Sequence, residues 1–224
     1  MTFDDYVINA QGIFDSFPNE TVWMQGGIKP NRQLENPEAG YCILFRYNEE
    51  TTSTISNFIT RIHSVLPPVV EYEARNLHTT IGVYSKWDLQ GFEPDQAIIK
   101  HLARSIQEGL HNCPQDPRIE LKKWLFNNEA ILVSGYPNED LWSLSQDIGR
   151  ACNLNGHTLE MSRITHITTA RFIVGFAKQI FDHFVFLMKS APFIGAVKPN
   201  AIDVATWQCD GLSFKLVTHN QFFL

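Results

Sequence analysis

The stretch "NLHTTIGVY", residues 76–84, decides how the chain is read. It has the composition of a strand, yet a histidine and two threonines stand at its centre. Successive strand side chains point to opposite faces. One face is then Leu77, Thr79, Ile81 and Val83, which suits packing beneath a helix. The other is Asn76, His78, Thr80, Gly82 and Tyr84, which suits a cleft or solvent. His78 and Thr80 are neighbours on that polar face.

A second stretch, "RITHITTARF" at 163–172, repeats the arrangement. Ile164, His166, Thr168, Ala170 and Phe172 share one face; Thr165, Ile167 and Thr169 share the other. His166 follows His78 by 88 residues, and of the eight histidines only these two have a threonine two positions on. One such match is weak evidence. Two, each on a strand and at equivalent places in two half-chains, are much stronger.

The surroundings repeat as well. A strand at 41–48 is followed by a helix whose apolar positions are Ile55, Phe58, Ile59, Ile62, Val65 and Leu66, ended by Pro67 and Pro68. The first histidine strand, a helix over 94–110 and a strand over 119–127 complete the first series. A strand over 130–137 opens the second. It continues with a helix capped by Asn138 and stopped near Gly156, the second histidine strand, and a very apolar helix over 175–191. Two closing strands around an Asp-Gly turn end the chain. The expectation is an α+β fold of two pseudo-symmetric lobes. Each lobe is an antiparallel sheet with helices on its outer side, and an active-site cleft lies between them. The single bilobal domain is expected over 41–224, its lobes over 41–118 and 119–224. Residues 1–40 read as an N-terminal extension, largely loop, because "QGGIKPNRQLENPEAG" (25–40) is rich in Gly, Pro, Asn and Gln. Their position suggests a cover for the cleft.

The 224 residues carry a net charge of −6 and are 44% apolar, enough for a substantial core. No start of the secretory type is visible, and no apolar run approaches the ~20 residues that span a bilayer. Cys42, Cys113, Cys152 and Cys209 are spread out without a CxxC pair, which reads as reduced thiols in a cytoplasmic protein. The acidic balance argues against a broad grip on DNA or long RNA, which needs many Lys/Arg contacts to phosphates. It is compatible with a small nucleotide, or one RNA end, in a local basic pocket. A monomer with no membrane contact is expected.

Cutting a phosphodiester needs one group to take a proton from the nucleophile and a second to give one to the leaving oxygen. Histidine, with a pKa near ~6.5, serves as either at neutral pH. A threonine hydroxyl beside each histidine can donate to a non-bridging phosphate oxygen as charge develops there. Two such strands would bracket a phosphate, and neither carries the carboxylate on its histidine face that a metal site would need. No metal or cofactor is expected.

"NLHTTIGVY" and "HITTAR" resemble the two signature strands of the 2H (two-histidine) phosphoesterase superfamily. That group includes RNA 2′,3′-cyclic phosphodiesterases, 2′-5′ RNA ligase-like proteins and 2′-5′ oligoadenylate phosphodiesterases. The resemblance implies that His78 and His166 are the catalytic pair, that Thr80 and Thr168 bind the substrate phosphate, and that Arg171 adds a contact. On a regular strand Arg171 falls on the face opposite His166, so its role requires the strand to end or bulge there. Tyr84, Trp87 and Phe172 are candidates for stacking on a base. The implied activity is metal-independent hydrolysis of 2′,3′-cyclic phosphate ends or 2′-5′ linkages. The alternatives are a non-catalytic phosphate- or nucleotide-binding module and an RNA end ligase using the same cleft.

Overall fold

The computed structural model describes residues 2–17, 19–112 and 115–224, so Cys113 lies outside the described residues. The chain builds two five-stranded antiparallel sheets, with α-helices packed against them. Its strands are β1 (Glu38–Arg46), β2 (Val69–Glu71), β3 (Thr79–Asp88), β4 (Ile119–Phe126) and β5 (Ala130–Pro137), then β6 (Glu160–Met161), β7 (Thr165–Phe172), β8 (Gly195–Val197), β9 (Ala201–Cys209) and β10 (Phe214–Phe223). The first sheet runs β10-β9-β1-β3-β6 and the second β2-β7-β5-β4-β8.

The helices follow their sequence signals. The first of them, α1, spans Phe3–Asp15 and is taken up below. In α2 (Glu49–His63) the Asn48 side chain accepts from Thr51 N at 2.9 Å, and Ile55, Phe58, Ile59 and Ile62 are buried. Asp95 caps α3 (Gln96–Gly109) and Asn138 caps α4 (Glu139–Leu154), which Gly156 terminates at φ 82°. The apolar helix expected over 175–191 is shorter, α5 (Lys178–Met188). It buries only Phe181 and Phe184 and leaves Phe186 exposed.

The expected lobe boundary is corrected. The sheets do not divide at 118/119, because the chain exchanges strands between them. β2, from the first half, pairs with β7, with Val70 opposite Arg171. β9 and β10 return from the second half to the first sheet, where Ile43 faces Val204. β1 explains the exchange: seven consecutive residues of it are buried, so it is a central strand needing a neighbour on each edge. β3 fills one edge and β9 the other. The strand pattern is local information, but the choice of partner is not.

Residues 1–40 are also corrected from largely loop. They begin with α1, in which Thr2 and Asp5 form a reciprocal capping box. Tyr6, Ala10 and Phe14, each four apart, bury one face of α1 against Leu125 and Leu132 of the second sheet. Short 3₁₀ turns at Asn19–Gln25 and Arg32–Leu34 follow. From the end of the first turn through the second, the chain runs across both sheets as a strap. Asn31, 1% exposed, gives its amide to the Phe172 carbonyl at 2.9 Å and to the Gly211 carbonyl at 3.1 Å. It thereby ties the end of β7 to the β9–β10 turn.

Three bulges set which side chains reach the cleft. Along the β1–β3 ladder, Ile81 and Tyr84 are extra residues on β3. Along β5–β7, Ile131 faces Ala170 and Leu132 faces Thr168, which leaves Thr169 extra. Each extra residue moves the side chains beyond it to the other face.

Candidate active site

His78 stands just ahead of β3, after a 3₁₀ turn at Ala74–Asn76, and not within the strand as its alternation suggests. The turn brings the Asn76 carbonyl to 2.6 Å from His78 Nδ1. A carbonyl oxygen only accepts, so Nδ1 carries the hydrogen and the Nε2 lone pair is free in the neutral ring. His166 is the second residue of β7. The two rings line one cavity of about 190 Å³ between the sheets, together with Thr80 and Thr168. Among the described residues neither of these hydroxyls has a hydrogen-bond partner. The neighbouring threonines behave differently. Thr79 shares a 2.6 Å hydrogen bond with the Tyr47 hydroxyl, and Thr169 donates to the Ile131 carbonyl at 3.1 Å; both are buried.

The bulge at Thr169 is what the role of Arg171 required. It returns Arg171 to the face of His166 and Thr168, and the guanidinium lines the cavity. Its Nε donates to the Tyr72 hydroxyl at 2.9 Å. Tyr72 in turn stacks on Phe214, with centroids 4.2 Å apart. The three stacking candidates lie elsewhere, Tyr84 and Phe172 because of these irregularities. Tyr84 packs edge-on to Tyr41 and His157. Trp87 packs on Tyr41 and Phe92. Phe172 is fully buried against Phe176 and Phe184. None of the three lines the cavity. Val83, expected on the packed side, does.

Burial in the cleft disfavours the charged form of both imidazoles. Both residues are half-buried. For His78, burial lowers the pKa from 6.5 to about 4, opposed by the Asn76 hydrogen bond and reinforced by the charges of Arg46 and His166. For His166, burial again dominates and Arg171 adds to it, giving about 4. The Ile164 backbone pulls that value back up, but makes no hydrogen bond of normal geometry to Nδ1. Behind His78, Arg46 Nε and Asp203 Oδ2 form an ion pair at 2.7 Å, with Asp203 fully buried. Thr218 and Gln221 donate to the same carboxylate at 2.8 and 2.9 Å.

Sequence reasoning missed the rest of the wall. Arg32, Gln33 and Glu38 come from the strap and the start of β1, while Trp207 and Phe214 come from β9 and β10. Nothing local in the sequence marks these residues, since their place depends on the strand exchange. Among the described residues no three His, Cys, Asp or Glu side chains converge as a metal ligand set would, and no helix is long and apolar enough to cross a membrane.

No protein-family model and no curated protein matches the chain. Solved structures do. E. coli LigT in complex with phosphate superposes with a TM-score of 0.52 at 12% identity, covering 84% of this chain and 98% of LigT. LigT has also been solved with 3′-AMP and with ATP. The protein TT0787 of Thermus thermophilus superposes with a TM-score of 0.56 at 12% identity, covering 83% of this chain and 97% of that protein. A structure described as a phosphoesterase gives 0.53 at 11% identity, covering 84% and 98%. At these identities the likeness is one of fold: the chain shares the two-sheet α+β fold of E. coli LigT.

Proposed function

We propose that this protein is a phosphodiesterase that opens 2′,3′-cyclic phosphate ends of RNA or nucleotides, or cuts 2′-5′ linkages, by acid–base catalysis from two histidines. The observation that carries the reading is the convergence of both His–Thr pairs and Arg171 on one cavity. The phosphate and nucleotide complexes of E. coli LigT, a protein of the same fold, add support.

In this mechanism Nε2 of His78 is the base, because the Asn76 carbonyl holds the hydrogen on Nδ1. It takes a proton from water as the water oxygen attacks phosphorus. His166 gives a proton to the ribose oxygen as the P–O bond breaks. A phosphomonoester and a free hydroxyl are left, with His78 protonated and His166 neutral until solvent resets both. Thr80 and Thr168 donate to the non-bridging oxygens, and Arg171 offsets the charge gathering there. The entering phosphate brings negative charge, which favours the protonated form of His166 that its acid role requires.

The test is hydrolysis of 2′,3′-cyclic nucleotides and 2′-5′ dinucleotides by the native protein and by His78→Ala and His166→Ala. Each substitution should cost about 10²–10⁴ in kcat. Unchanged turnover in folded variants would remove the mechanism.

A further inference from the structure

The cavity extends past the phosphate site, and its far wall carries polar groups that the proposed chemistry does not use. Glu38 and Gly40 lie on the cleft face of β1, opposite Cys209 and Trp207 of β9. A Cβ at position 40 would come within 3.1 Å of Trp207 Nε1 and collide with the Ser85 carbonyl. Glycine at position 40 therefore lets the indole N–H lie over the strand, on the face of β1 that carries Glu38. That N–H is buried and has no hydrogen-bond partner. Gln33, 4% exposed, reaches the same wall from the strap. Its Nε2 donates to Glu38 at 3.4 Å, while its Oε1 is buried without a partner. An unpaired buried polar group costs roughly 1–3 kcal/mol, so two on one cavity wall point to a ligand that completes them.

Resting on the reading of this cavity as a nucleotide site, we infer that Glu38, Gln33 and Trp207 form a nucleobase subsite selective for guanine. Arg32 Nη2 lies 3.8 Å from Glu38 Oε2 and Lys86 also lines the cavity; between these cations the set offered to a base is two acceptors and one donor. Guanine presents the complement along its Watson–Crick edge: N1–H and N2–H to the Glu38 carboxylate and Gln33 Oε1, and O6 to the Trp207 N–H. Adenine and cytosine each put a ring-nitrogen lone pair against the carboxylate. Uracil offers one N–H where guanine offers three. Residues 38 and 40 are two apart on one strand, about 7 Å, which is the width of a base edge. Phe214, stacked on Tyr72, adds an aromatic ring to the wall between this group and His78.

The experiment is calorimetric binding of 3′-GMP, 3′-AMP, 3′-CMP, 3′-UMP and inorganic phosphate to the full chain, to Glu38→Gln and to Trp207→Phe. 3′-GMP should bind about 10–100-fold tighter than 3′-AMP or 3′-CMP, the range for hydrogen bonds to a charged group. Glu38→Gln should erase most of that preference and Trp207→Phe part of it, while both keep the native affinity for inorganic phosphate, which also reports that they are folded. Equal binding of the four nucleotides by the native protein, with phosphate still bound, overturns the subsite and leaves the proposed catalysis standing. A guanine preference without turnover of any cyclic or 2′-5′ substrate has the reverse meaning.

Discussion

Leu132 faces Thr168 across the β5–β7 ladder, and the two side chains share one face of the second sheet. Thr168 lines the cavity, whereas Leu132 is buried beneath Tyr6, Ala10 and Phe14 of α1. The N-terminal helix therefore occupies the surface that would extend the cleft beyond the histidines. Removing residues 1–17 should let longer oligonucleotides in. The ratio of activity on an oligonucleotide with a cyclic end to activity on a cyclic mononucleotide should rise several-fold, and the melting temperature should fall as Leu125 and Leu132 become exposed. An unchanged ratio would show that α1 only completes the core.

Adjacent threonines on β3 should part company. Thr80→Val removes a donor aimed at the phosphate and should cost about 10² in kcat with little change in stability. Thr79→Val leaves the Tyr47 hydroxyl buried without its 2.6 Å partner and should cost about 1–3 kcal/mol in denaturant melts, with activity kept. The reverse pattern would mean that the face assignment is wrong.

Arg171 is presented by Tyr72, which arrives on the exchanged strand side of the second sheet. Arg171→Lys keeps the charge but loses the planar fork, and should lower kcat/KM by roughly 10–100-fold. Tyr72→Phe removes only the 2.9 Å bond. It should give a loss of about tenfold or less, the net worth of one hydrogen bond. Equal losses for the two variants would assign Tyr72 a direct role.

Acid should weaken the protein through its two histidines. Their folded pKa values of about 4 lie below the ordinary 6.5. Between those values the unfolded chain binds protons that the folded chain refuses, so stability falls as pH drops from about 6.5 toward 4. His166→Gln should flatten the fall of melting temperature in that window. Inorganic phosphate acts the other way: it should bind more tightly at pH 6 than at pH 8, with proton uptake by the imidazoles, which NMR titration of their ring protons would follow.

Arg46→Met strands the buried Asp203 carboxylate and should destabilise by about 3–5 kcal/mol. Chemical denaturation measures this directly. A loss under about 1 kcal/mol would indicate that Thr218 and Gln221 suffice for Asp203.

The sequence displayed the chemistry more clearly than the architecture. Two His-x-Thr stretches with an 88-residue offset pointed to four side chains that line one cavity, because residues two apart on a strand share a face. Alternation misplaced Tyr84 and Phe172, since a bulge of one residue reverses the side chains beyond it and leaves no mark in composition. Arg32, Gln33, Glu38 and Trp207 stayed invisible for a different reason: they meet only through pairings between distant strands. The helix α1 was legible, with its Thr2–Asp5 box and its apolar residues four apart, but the glycines and prolines after it masked the signal.

The exchange of strands bears on how the molecule is made. During synthesis β1 emerges early, and one of its edges stays unpaired until residues 201–209 follow. Trp207 and Phe214 complete the cavity wall only then. The pocket is thus assembled in one late event and not lobe by lobe, and a chain interrupted before Ala201 would hold both histidines yet no working enclosure around them.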